Sequence, residues 1–170
     1  MALDATIGGA SADTYGTLAE SDAYFAARES GNWDGSNEHK EMALRKAATY
    51  LDNVGRGKWK GIRTNRDQAR AWPRSYAIDS DGYSYEADTI PDVLKYAQFE
   101  AAKIIAGGTE LETTLSRAVK SEQVGPLSVT YMDGAALQAQ YPQVTNWLSD
   151  LVNGGFGNNG SWGGGKIVRA

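Results

Sequence analysis

Apolar residues recur at three- and four-residue spacing in three stretches of the chain, and each stretch carries helix boundary signals. The first opens on Thr17 and Glu20, a Thr-x-x-Glu capping box. It carries Leu18, Ala19, Ala23, Tyr24, Phe25 and Ala27 and is predicted to run to about Ser30, with Gly31 as its stop. The second starts near Ser36, sets Ala43, Leu44, Ala47, Ala48, Leu51 and Val54 on one face, and ends at Gly55. The third begins at Thr89-Ile90-Pro91-Asp92, where proline suits a first turn and aspartate complements the positive helix end. Its stripe is Val93, Leu94, Ala97, Ala101, Ile104 and Ile105, before Gly107-Gly108.

Beyond these helices the period changes. Val119 to Val124 and Leu127 to Tyr131 alternate around Gly125-Pro126, which predicts a β-hairpin near 118–131. A last short helix is expected from Pro142 through Leu151, holding Val144, Trp147, Leu148 and Leu151. The fold class expected is therefore mainly α with a β-hairpin, a small helical bundle with extended N- and C-terminal arms. Residues 1–16 form the first arm, 17–152 the helical domain, and 153–170 a tail. Seven of the chain's 20 glycines lie between Gly154 and Gly165, so that tail is too rich in glycine to build a packed element alone.

Composition narrows the chemistry. Cysteine is absent, which removes disulfides, thiolate metal sites and thiol nucleophiles, and His39 is the one histidine. No apolar stretch approaches a membrane span, and the N-terminus lacks a basic lead with an apolar run. The expectation is a protein that is not an enzyme, with no catalytic, cofactor or metal residues and no membrane partner. Two glycine motifs match by pattern and are set aside. Gly155 to Gly160 fits G-x-G-x-x-G and Gly160 to Lys166 fits G-x-x-x-x-G-K, but neither lies between a strand and a helix. Asp79-Ser80-Asp81-Gly82 resembles part of a calcium loop, yet the remaining ligand positions do not fit, and a polar turn explains it better.

The charge distribution is the informative feature. From Arg56 to Arg74 the chain holds Arg56, Lys58, Lys60, Arg63, Arg66, Arg70 and Arg74 against the single acid Asp67. That is +6 within a chain of net −4, leaving −10 elsewhere. Residues 79–92 carry five acids and no base. Basic residues interleaved with Trp59 and Trp72 could track a phosphate backbone and offer stacking faces to bases. Core anchoring of a long loop by the two tryptophans is the stronger reading of those residues. The bases themselves fit a solvated face as well as a functional one.

Several blocks together carry a resemblance. They are Tyr15 with Thr17 to Phe25, Ala43 to Asp52, Trp59-Lys60-Gly61, Gln68-Ala69, Ala71-Trp72-Pro73-Arg74, Asp81-Gly82, Ile90-Pro91 and Lys120 to Tyr131. Over Tyr15 to Leu151 the chain resembles the head-to-tail adaptors of tailed phages, also called head-completion or connector proteins. The same domain is also labelled a DnaT-like single-stranded-DNA-binding protein. The adaptor resemblance implies a structural virion protein of the neck, made in the host cytoplasm, assembling with itself into a dodecameric ring. It implies a portal protein above and a tail or tail-terminator protein below, with genomic DNA in the channel. On that reading the seven bases would face a neighbouring subunit, the portal or the DNA. Lys166, Ile167, Val168 and Arg169 would contact the portal. The alternative is a single-stranded-DNA-binding module using the basic segment 56–74.

Overall fold

The computed structural model describes residues 2–28, 31, 33–111, 121–124, 127–130 and 141–154, the two segments 121–124 and 127–130 by their backbone alone. Four α-helices dominate: α1 (Leu18–Ala26), α2 (Asn37–Val54), α3 (Asp92–Ala106) and α4 (Pro142–Leu148). A 3-10 turn, Ser149–Leu151, continues α4. Two antiparallel strand pairs accompany them. β1 (Ile62–Arg63) pairs with β2 (Arg74–Ser75), and β3 (Ser121–Val124) pairs with β4 (Leu127–Thr130). The expected class, mainly α with a hairpin near 118–131, is what the chain adopts. The hairpin's turn, Gly125-Pro126, lies outside the described residues.

The helices form where spacing and caps require them. Thr17 and Glu20 make the reciprocal capping box at the start of α1, and the Ser36 hydroxyl accepts the His39 amide at the start of α2. The Gln98 carbonyl, on α3, accepts the backbone amides of Tyr15 and Gly16, and its amide donates to Thr14 and to the Leu44 carbonyl. One fully buried polar side chain thus joins the N-terminal segment, α2 and α3 with all its groups satisfied. Leu44, Leu51, Leu94, Val144, Leu148 and Leu151 are completely excluded from solvent and form the core between α2, α3 and α4.

Two expectations need adjusting. Helix α1 stops at Ala26, short of the predicted Ser30. The Arg28 amide bonds back to the Phe25 carbonyl and its guanidinium takes the Tyr24 carbonyl, closing the last turn. Trp33 then returns to pack on Phe25, ring centres 4.8 Å apart, and donates to Asp22, which a longer helix would prevent. The segment 2–16 has no helix or strand, as expected of an arm, but it lies against its own domain. Ala12, Thr14 and Tyr15 are buried, and the Tyr15 hydroxyl donates to Asp52 on α2.

Candidate nucleic-acid interface

Between α2 and α3 the chain runs through a long irregular segment that carries the basic cluster. Trp59 begins it, lying against the end of α2 so closely that a Cβ on Gly55 would meet its ring at 2.1 Å. Residues 58–60 are held by the chain leaving α4: the Lys60 amide donates to Leu151 and the Asn153 amide to Lys58. Trp72 meets Trp59 edge-on at 6.2 Å and Tyr85 edge-on at 5.7 Å. Trp59 is 8% exposed and Trp72 1% exposed, so neither presents a face to a nucleobase. Their indole N–H groups have no hydrogen-bond partner among the described residues.

The seven bases divide into two sets. Arg70, half-buried, donates to the Ala12 carbonyl, to Thr49 and, at 3.3 Å, to the Asp52 carboxylate. Burial pushes the Asp52 carboxyl above its ordinary value, against the opposing pull of the Tyr15 hydroxyl, Arg70 and the Ala71 amide. Arg74, also half-buried, donates to the carbonyls of Lys60, Gly61 and Ala71. Its pKa is lowered, first by burial and then by the charge of Arg63. Lys60 donates to the Ile78 carbonyl and lies 3.8 Å from Asp150. These three cations hold the loop to itself and to the helices.

Arg56, Lys58, Arg63 and Arg66 are exposed. Arg56 reaches only Asn53 Oδ1, and Arg63 only the Gln68 carbonyl. Arg66 makes no hydrogen bond or ion pair among the described residues. Arg63 is paired with Arg74 across the β1–β2 ladder, and neither makes an ion pair among the described residues. Arg63 and Arg66 thus keep a positive charge that no ion pair among the described residues takes up.

In the acidic stretch that follows, Asp79 is committed to local structure while Asp81, Glu86 and Asp88 are exposed. Asp79 Oδ1 accepts the amides of Asp81 and Tyr83, fixing a polar turn at the place of the calcium-like pattern. Asp150 accepts the Tyr85 hydroxyl at 2.5 Å and the Ser80 amide at 2.7 Å. Burial works to raise the Asp150 carboxyl, but these bonds and the Lys60 charge outweigh it, so its pKa is lowered. Among the described residues no group of three or more acidic or histidine side chains is disposed to hold a metal ion. His39 is exposed, with Nε2 3.2 Å from the Ala106 carbonyl. Lys166, Ile167, Val168 and Arg169, both glycine motifs and the rest of the tail from residue 155 lie outside the described residues.

Sequence reading passes over one feature of this surface. Among the described residues the most exposed large apolar side chains, Tyr76 at 81%, Tyr83 at 73% and Ile62 at 61%, all belong to the irregular segment. No local sequence pattern marks Tyr76, whose backbone at φ +61° is not that of a strand. Ala77 is fully buried between the exposed Tyr76 and Ile78.

The whole chain, residues 1–170, matches the family described as "Putative DnaT-like ssDNA binding protein". The chain belongs to this family. Neither a curated protein nor a solved structure matches it. The match corrects the connector expectation. The family description names single-stranded DNA and no virion component, and nothing found supports a head-to-tail adaptor. The portal and tail partners rest on that resemblance alone.

Proposed function

We propose that this protein is a single-stranded-DNA-binding module whose phosphate contacts come from Arg56, Arg63 and Arg66. The observation that carries the reading is the sorting of cations within segment 56–74. Arg56, Arg63 and Arg66 stand exposed, while Lys60, Arg70 and Arg74 are held in the fold. Family membership supplies the ligand class. Exposed guanidinium and ammonium groups bind a nucleic-acid backbone by releasing its counterions, which makes affinity fall steeply with salt. A net charge of −4 confines that attraction to one face and opposes coating of nucleic acid by the rest of the surface. The Trp-stacking version of this reading is replaced, because Trp59 and Trp72 are interior. Titration of a fluorescent oligo-dT across a salt series tests the proposal. Binding with a negative log–log slope is the expected result, and no binding at low salt removes it.

A further inference from the structure

Tyr76 breaks a local rule with nothing inside the molecule to compensate for it. Its φ is +61°, and it is the one non-glycine residue at positive φ among the described residues. For a bulky aromatic residue that region is costly, whereas glycine or asparagine tolerates it. The reason for the bend lies across the β1–β2 ladder. Gly61, itself at φ +66°, faces this point so closely that a Cβ would meet the Ser75 carbonyl oxygen at 2.3 Å and the Ala77 amide nitrogen at 2.8 Å. The two strands therefore turn sharply past each other here. The bend would be met more cheaply by a small residue at position 76. The chain instead carries a ring that is 81% exposed and makes no hydrogen bond, ion pair or ring contact among the described residues.

The surroundings of that ring select its occupant. Tyr76 lies two residues beyond Arg74, just past the end of the strand that pairs with Arg63. Tyr83 is nearly as exposed but belongs to the polar turn that Asp79 closes, next to the exposed Asp81, whose charge repels a phosphate backbone. We propose that Tyr76 is a base-stacking platform, one nucleobase of a single strand lying on its ring while neighbouring phosphates meet Arg63 and Arg66. The proposal rests on the single-stranded-DNA reading and deepens it. Phosphates supply affinity without regard to bases, and the ring makes the site respond to a base being present.

The test compares two probes of equal length and charge, an oligo-dT and an abasic deoxyribose-phosphate oligomer, across a salt series. Tyr76→Asn removes the ring and suits the left-handed backbone, so the variant keeps its fold. It is expected to weaken oligo-dT binding by about tenfold, leaving abasic binding and the salt slope unchanged. Tyr76→Phe restores the preference, and Tyr83→Ser leaves it as in the wild type. An unaltered ratio of oligo-dT to abasic affinity in Tyr76→Asn overturns the platform while the phosphate-binding function stands. The same unaltered ratio, with a shift from oligomer to monomer in sedimentation, reassigns the ring to a contact between copies. If neither probe binds the wild type at low salt, the function and the platform fall together.

Discussion

The α2–α3–α4 bundle and the segment from Arg56 to Ile90 use charge in opposite ways. In the bundle, apolar residues face inward and the ion pairs lie on the outside: Lys40 with Asp22, Arg45 with Asp13 and Glu41, Lys95 with Glu20. Such pairs contribute about 0–1 kcal/mol each, and the helices stand mainly on buried leucine and alanine. The irregular segment has no periodic stripe to bury, so arginine replaces secondary structure there. Arg74 alone satisfies three carbonyls that no strand reaches. A count of basic residues therefore overstates the charge a ligand can meet, and the useful quantity is what remains after the fold has taken its share.

The comparison can be broken most forcefully at its two anchors. Trp72→Ala removes the largest fully buried side chain among the described residues and is expected to cost about 3–5 kcal/mol in urea denaturation, as much as any leucine truncation in the bundle. If Trp72→Ala costs less than about 1 kcal/mol, the segment is not part of the cooperative core. Next in size, Gly61→Ala drives a methyl group against the Ser75 carbonyl at a positive φ and is expected to cost at least about 2 kcal/mol.

Arginine substitutions sharpen the contrast. Arg74→Met strips donors from three carbonyls and is expected to lower stability by about 1–3 kcal/mol, with Arg70→Met similar because it leaves Asp52 half-buried without its cation. Arg66→Ser is expected to stay within about 0.5 kcal/mol of the wild type. Equal losses for Arg74→Met and Arg66→Ser would erase the distinction between held and available cations.

The smallest expected effect is a pH dependence. The Asp150 carboxyl is lowered in the folded protein, so its contribution is complete above its unfolded value and is lost as pH falls through the acid range. The difference in melting temperature between wild type and Asp150→Asn is expected to shrink from pH 6 toward pH 3. A difference that is constant or grows would reverse the sign assigned here.

These contrasts also explain how far the sequence could be read. Helices α2 and α3 were legible because local spacing and caps, Ser36 and Gly55 or Pro91 and Gly107, determine them. The Gln98 bonds were not, since they join residues more than 80 positions apart and leave no periodic trace. The basic cluster was visible as composition, but its division was hidden. Arg66 and Arg70 look alike in sequence, and only the folded chain brings Asp52 and the Ala12 carbonyl to one of them. Tyr76 was hidden for a related reason, because its backbone conformation answers to Gly61 across the ladder rather than to its own neighbours.

The most direct test of the available-cation surface is the salt slope of oligo-dT binding for the double variant Arg56→Ser/Arg66→Ser beside the wild type. Each phosphate contact on a single strand contributes about 0.7 to that slope, so the account predicts a reduction of about 1.4 with unchanged stability. An identical slope in the two proteins would contradict it.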